Sequence, residues 1–595
     1  MKVYYQLKTF SIRLSFSPNM LVAEQTSPQV NEIPDVKAVD VVAPSWKLVA
    51  ARRQAEINNA IPTEYLVPLV QLGGLENRIG LPEASGILTH RELEITARSA
   101  TGLLRFLHNG TYTAVEVTTA FCKRAAIAHQ AVNCLALVMF QQALADAAEL
   151  DQYMQTHHRP KGPLHGLPIS VKEHIELAGT PATAGLISLA DSVSSQDAMI
   201  VRVLREAGAV FHVKTTNPQT LLALETESNI YGITVNPYNI NLSSGGSSGG
   251  EAALIAMRGS LLGIGTDMGG SIRAPSAFNG VFGLKPSVGR LPHGGLEGLH
   301  SGMENVIGCC GPIATCVEDM RLFCQVILAS EPWRQEPEMI EKPWNPIPLP
   351  TNLKIGVMWH DGVAQPQPPV TRCLRETVLA IQQAGHTVVY WDPKDHPALT
   401  KSMDRAFFID AGKEYWDVIK QGEEPAVPVM QWILTERNNS PPLTVVETWK
   451  LNSERKLLQN SHAAQWDELD LDAIICPVHF SNAPAIHEAQ YAGYTNAFNR
   501  LDYTAAVFPV GKVEPTDTWE NFPRAIEQSL GKDDDFSFKT YTGPDKYRHS
   551  PVSLQIVTRR LQEEKNLAII EKVIQAVELK KQLLDHGLLL HSNDI

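Results

Sequence analysis

The chain has 595 residues, 44% hydrophobic and 19% charged, the balance of a soluble globular protein with a large core rather than a disordered one. Its formal net charge of −13, with no block of Lys and Arg, repels phosphate backbones and argues against a nucleic-acid partner. The eight cysteines form no C-x-x-C pair and are too sparse for a disulfide scaffold, so they read as small apolar residues in a reducing compartment, which predicts a cytoplasmic location.

No run of about 18 apolar residues occurs, so no transmembrane helix is expected. The first twenty residues carry Lys2, Lys8 and Arg13 and no acidic residue precedes Glu24, a faint likeness to a mitochondrial presequence. The apolar stretch of a secretory signal is missing and helical amphipathicity is poor. The segment therefore reads as a leader without fixed structure, or as an over-extended start with Met20 as initiator. Residues 1–85 read as an N-terminal tail with a short helical patch near Trp46–Ala60. Helical spacing follows in LEITARSATGLLRFLHNG, which stops at Asn109-Gly110, and in LADAAELDQYMQTHH.

The texture then changes. GPLHGLPISVKEHI predicts a strand carrying Lys172, AMIVRVLREAGAV a helix ending at Gly208, and VFHVKT a strand. This alternation marks an α/β fold. Residues 241–295 are rich in Gly and Ser, yet they hold large apolar residues and a helix candidate, GEAALIAMRG, unlike a flexible linker. Residues 331–350 read as a Pro-rich surface connection. LKIGVMW, TRCLRETVLAIQQAG and HTVVYW predict a second strand, helix and strand. Residues 514–549 read as a surface excursion, and SLQIVTRR followed by a long helix closes the chain, with 586–595 as a tail.

Two serine motifs compete for chemistry. Gly245-Gly246-Ser247-Ser248-Gly249 matches G-x-S-x-G, the nucleophile elbow of α/β-hydrolases. That elbow needs a buried strand just before it, and NPYNINLSS, polar and containing Pro237, is a poor one. Thr266-Asp267-Met268-Gly269-Gly270-Ser271-Ile272-Arg273 instead sets a serine after two glycines, where successive N–H groups can converge on one point as an oxyanion site requires. A serine nucleophile also needs a base. Lys172, following the apolar Leu167-Pro168-Ile169-Ser170-Val171, can serve if burial lowers its pKa. No H-E-x-x-H is present, which argues against a zinc protease.

GGSSGGEAALIA, GTDMGGSIR, FNGVFGLKPS and PISVK together resemble the amidase signature family, over about residues 85–585. TTNPQ, GPIATCVEDM, LDAIICP and SPVSLQIVTRRLQEEKNL extend the likeness. YGITVNPYN, ALIAMRGS and GVFGLKPSVGRLPHGG look closest to the fungal acetamidase-like branch. The resemblance implies a large mixed, twisted β-sheet covered by helices on both faces, in a catalytic domain over 86–585. It implies amide C–N hydrolysis through a Ser-Ser-Lys triad, without metal or organic cofactor, on a small-molecule amide, and it allows a homodimer. Ser271 matches the acylated serine, Ser247 the bridging serine held by a cis peptide to Ser248, and Lys172 the proton acceptor. The N–H groups of Met268, Gly269, Gly270 and Ser271 match the oxyanion hole. Asp267 and Arg273 look like groups that hold this loop, and Asn217 and Leu221 sit where the family lines its site. Met268 stands where Ile is common, with little loss expected because its backbone N–H is the working part.

Other readings stay open. An amidase that tailors a secondary metabolite, a glutaminase-type subunit of a transamidation complex, an esterase side activity and a non-catalytic scaffold all share the fold. The intact Lys172, Ser247 and Ser271 speak against the last. Pocket walls are expected around 221–231, 296–310 and 400–450. Trp432 and the pair Tyr415-Trp416 are candidate linings, although aromatic residues at such positions more often belong to a core.

Overall fold

The computed structural model describes residues 46–438 and 440–585. The expectations for the leader, for Met20 and for 586–595 lie outside the described residues. Eleven strands pair into one sheet: β1 Leu135–Val138, β2 Pro168–Lys172, β3 Val210–Thr215, β4 Leu262–Asp267, β5 Phe282–Lys285, β6 Cys309–Ala314, β7 Lys354–Val357, β8 Thr387–Tyr390, β9 Ala473–Pro477, β10 Thr504–Lys512 and β11 Pro551–Thr558. Their spatial order is β1-β3-β2-β4-β6-β5-β10-β11-β9-β7-β8. β3, β2 and β4 run parallel, as do β9, β7 and β8. The strands between them pair antiparallel, so the sheet is mixed.

β9 and β11 are buried along their whole length, as their near-continuous apolar runs AIICP and PVSLQIVT require. On one face, Ile169 and Val171 of β2 join a core with Phe323, Ile327, Leu567 and Ile570 from the helices Val317–Ala329 and Glu563–Asp585. Another core joins the helices Trp46–Asn59 and Ala114–Val132 to Leu254 and Met257. Helices thus cover both faces, as expected of an α/β protein. Residues of the 46–85 stretch, Ala50, Ile57 and Leu81 among them, pack into that second core. Among the described residues no helix is long and apolar enough to cross a membrane.

Most predicted elements form near their expected bounds. The helix expected across 93–110 is broken in two, His90–Thr96 and Ala100–His108. The second part starts afresh because Ser99 accepts from Gly102 N, and the buried Asp319 carboxylate accepts from Ala100 N and Thr101 N at 2.9 and 2.8 Å. The 514–549 segment is more than a surface excursion. Tyr541 and Tyr547 are buried and stacked with ring centroids 5.3 Å apart.

Alternation along β2 positions the site. Ile169 and Val171 point into the first core, so Ser170 and Lys172 point to the other face, toward the helix Gly249–Ala256. That helix lies hard against the chain after β3. A Cβ on Gly250 would sit 2.5 Å from Thr216 N and 2.7 Å from Thr216 O. Gly→Ala in a free helix gains about 1 kcal/mol, but overpacking against backbone costs about 1–3 kcal/mol. Gly250→Ala is therefore expected to lower stability in a urea-unfolding measurement and to reduce activity, because it moves the Ser247 end of the helix.

Candidate active site

Lys172 ends β2 fully buried. Its Nζ lies 2.7 Å from Ser247 Oγ and 2.7 Å from Thr266 Oγ1, and it forms no ion pair with a described residue. Burial drives this amine down to about 7, against the opposing pull of Asp267, Cys310 and Glu251. A substantial fraction of Lys172 is thus neutral at neutral pH. Behind it, Glu251 accepts from Ser170 Oγ and Thr215 Oγ1, and burial pushes its carboxyl up to about 7 despite those hydroxyls.

The loop that carries Ser247 leaves a two-stranded ribbon, Val235–Asn236 with Asn239–Ser243, which lies outside the main sheet. The buried strand that a nucleophile elbow needs is therefore missing. The cis peptide of this loop is Gly246–Ser247 and not the expected Ser247–Ser248. Position 246 takes only glycine, because a Cβ there would meet Ala223 O at 2.5 Å and Glu225 N at 2.7 Å. Ser248 N donates to Ser271 O at 3.1 Å, and its hydroxyl donates to Thr266 O at 3.3 Å. Ser248 thus ties the two serine loops together.

Ser271 follows a tight loop between β4 and the helix Arg273–Phe278. Asp267, fully buried, organises it. Its carboxylate accepts from Gly270 N at 2.8 Å, Ile272 N at 3.2 Å, Arg273 Nε at 3.0 Å, Arg273 Nη2 at 3.1 Å and Asn499 Nδ2 at 2.9 Å. Burial alone would raise this carboxyl, but the Arg273 guanidinium and these donors outweigh it and hold it well below the usual carboxylate range. Gly270 takes a φ of +135°, and a Cβ would meet Thr495 Oγ1 at 2.4 Å, so only glycine fits.

One expected donor is already engaged: the Gly270 N–H points to Asp267. The N–H groups of Met268, Gly269 and Ser271 donate to no described residue. Ser271 and Ser247 both open onto one cavity of about 910 Å³, as do Met268, Gly269 and Leu221. The Ser271 hydroxyl forms no hydrogen bond with a described residue. Leu221 has a φ of +66°, a left-handed backbone that turns this stretch along the wall. Asn217 lies behind the wall. Its amide donates to Glu173 Oε2 and accepts from Gly185 N, both at 3.0 Å, in the orientation that satisfies both atoms.

Leu221, Leu222 and Leu224, residues 296–304 and 306–308, and Phe407, Phe408, Tyr415, Trp432 and Arg437 line the cavity, largely within the expected wall segments. Trp416 does not. Sequence reasoning missed lining residues within 288–293 (His293 among them), within 336–339 (Glu336 among them), and at 489–492 and 496. The Pro-rich 331–350 stretch, expected only to connect, folds back: Glu336 accepts from His293 N at 2.7 Å and Ile340 N donates to Gly289 O at 2.8 Å. Thr266 and His174 also went unassigned, although Thr266 stands inside the GTDMGGSIR motif.

Residues 116–567 match the family model described as Amidase. The chain is 40% identical to an acetamidase of Aspergillus oryzae over 89% of its own length and 98% of the relative's. It is 39% identical to an acetamidase of Emericella nidulans with the same coverage. Among solved structures, fatty acid amide hydrolase aligns with a TM-score of 0.86 at 29% identity, covering 89% of this chain and 95% of that one.

The Asp267–Arg273 pair yields a test. Arg273→Ala leaves a buried carboxylate without its cation, at a cost of about 3–5 kcal/mol. Denaturant unfolding is expected to show a loss of that size, and the double variant Asp267→Asn with Arg273→Leu is expected to recover part of it.

Proposed function

The chain belongs to the amidase signature family, and from that premise we propose that Ser271 is the acylated nucleophile, Ser247 the relay and Lys172 the terminal base of its amide hydrolysis. The observation that carries this reading is a neutralisable, fully buried lysine 2.7 Å from a serine that shares a cavity with Ser271. Neutral Lys172 draws the Ser247 proton as Ser247 draws the proton of Ser271. Ser271 Oγ then attacks the amide carbonyl. The hydroxyl rotor of Ser271 turns toward Ser247 as substrate binds, and such hydrogen bonds commonly tighten only in the complex.

Negative charge grows on the carbonyl oxygen, where the unengaged N–H groups of Met268, Gly269 and Ser271 receive it. Gly270 contributes differently: its N–H, donated to Asp267, sets the curvature of the loop. The proton returns through Ser247 to the leaving nitrogen, which is essential because an amide anion leaves poorly. Water, activated by the same relay, cleaves the acyl-enzyme to carboxylate, with ammonia or an amine as the other product. Every step is made by side chains and backbone of this chain.

The substrate reading comes from volume. About 910 Å³ is at the upper end of pockets for drug-sized ligands. An acetamide would leave most of it filled with water. Leu221, Met268, Phe407, Phe408 and Trp432 give that space an apolar wall. The preferred substrate is therefore an amide with an extended apolar acyl group, nearer to the substrate named for fatty acid amide hydrolase than to the one named for the acetamidases.

Ammonia release from acetamide, benzamide and octanamide checks both parts. Octanamide is expected to give the highest kcat/KM, and a preference for acetamide would refute the volume argument. Ser271→Ala is expected to lose about four to six orders of magnitude in kcat. Full activity in Ser271→Ala with a dead Ser247→Ala would overturn the assignment of the nucleophile. The pH profile is a third check. Lys172 works unprotonated and titrates near 7, so kcat/KM is expected to level off above that pH and to fall in proportion to added protons below it. A midpoint near 10 would show an amine not perturbed by burial.

A further inference from the structure

A neutral lysine amine has two N–H bonds and one lone pair, and only the lone pair can accept a proton. Burial supplies the neutral form but does not aim it. Two oxygens stand equally close to Nζ, Ser247 Oγ and Thr266 Oγ1, each at 2.7 Å. If the lone pair faced Thr266, Lys172 would donate to Ser247 and the relay would run backwards. Something must break this tie.

His174 stands two residues along the chain from Lys172, buried, with one ring edge on the cavity. Its Nδ1 lies 2.8 Å from the backbone carbonyl of Glu297, and its Nε2 lies 3.0 Å from Thr266 Oγ1. A carbonyl oxygen only accepts, so Nδ1 carries the proton and Nε2 is left as an acceptor. The hydroxyl of Thr266 must then donate to Nε2. With its single proton committed, Thr266 Oγ1 can only accept from Lys172. One N–H of Lys172 is thereby drawn to Thr266, which leaves the lone pair to turn toward Ser247.

The start of this chain is rigid. Glu297 N donates to His174 O at 2.8 Å, and Glu176 N donates to Gly295 O at 3.0 Å, so the 295–297 segment is stitched to the strand extension at 174–176. The ring also stays neutral. Burial first, and then the nearby Lys172, hold His174 well below its ordinary range, and the other titratable groups facing it, His293 and Lys214, push the same way. A protonated ring would donate at both nitrogens, release Thr266 and erase the direction.

We propose that His174 is a positioning residue that acts through Thr266: it fixes the direction of the hydrogen bonds from Glu297 O to Lys172, so that the lysine lone pair faces Ser247. The inference rests on the Ser271–Ser247–Lys172 reading above. It assigns no contact between His174 and the reacting atoms.

The test uses the full chain and a fluorophosphonate probe, which phosphonylates an activated serine whatever the natural substrate, together with octanamide turnover. His174→Leu removes the acceptor at similar volume. It is expected to slow labelling and kcat by about 10–100-fold, the scale of a misoriented catalytic group, while KM stays within about twofold. His174→Gln can donate to Glu297 O and accept from Thr266, and it is expected to restore most of the rate. Thr266→Val is expected to show the same loss, with little further loss when combined with His174→Leu, because the two act in series. Thr266→Ser keeps the hydroxyl and is expected to retain activity only while residue 174 can accept.

A well-folded His174→Leu with unchanged labelling and kcat would overturn the proposal, as would a His174→Gln no better than Leu. If His174→Leu melts early, the same labelling and kcat comparison is read on His174→Met, which also lacks the ring-nitrogen acceptor, against His174→Gln; equal rates in Met, Gln and wild type would overturn the proposal. The controls separate this inference from the reading beneath it. If Ser271→Ala is still labelled and active, the nucleophile assignment fails. If Ser271→Ala is silent and His174→Leu is as fast as wild type, only the role of His174 fails.

Discussion

The site depends on an amine taken out of water with no carboxylate of a described residue paired to it. Desolvating an ammonium costs several kcal/mol, which an ion pair normally offsets. Lys172 is denied that partner and finds two hydroxyls instead, so the cheaper course is to lose its proton. The sheet makes this unavoidable. β2 is buried along its length between β3 and β4, and the Lys172 side chain is fully buried with it. Glu251, the acid behind β2, is itself turned toward Ser170 and Thr215 and lifted toward neutrality, which keeps it from acting as a full counter-charge.

Less than one loop away, the opposite solution is applied to Asp267. That carboxylate is equally buried, yet it is surrounded by donors from backbone, guanidinium and amide, so its charge is retained. The contrast separates two tasks. A charged group bends the loop before Ser271 and engages the Gly270 N–H, while burial brings the Lys172 amine down to about 7. The same depth of burial gives both results: the Arg273 guanidinium and the donors beside it keep Asp267 charged, while Lys172 has no ion-pair partner among the described residues to offset its desolvation.

Much of this was readable in the chain. The apolar run into Lys172, the β, α, β rhythm and the glycines before Ser271 carry their physical reasons locally, through period-two alternation and the absence of Cβ atoms. The resemblance to a family then assigned roles to those residues by number. What could not be read depends on distant partners. His174 means nothing until Glu297, more than a hundred residues later, presents a carbonyl to it. The break at 97–99 needs Asp319 from another helix, and the return of 336–339 to the cavity needs His293. The need for glycine at 246 comes from Ala223 and Glu225, which local motif reading does not see.

The cavity has two kinds of wall. One is the loop from Asp267 to Ser271, pinned to the sheet at β4 and to the helix that follows. The other includes Phe407, Tyr415 and Trp432, carried by short helices outside the eleven strands. The two walls meet where Phe407 packs against Gly269 of the first, so the cavity side of the Asp267–Ser271 loop is shaped by both. A chain built this way lays down its two walls from different parts of the sequence, but Phe407, Phe408 and Tyr415 are also buried members of a hydrophobic core, so a change of cavity shape there is at the same time a change of packing.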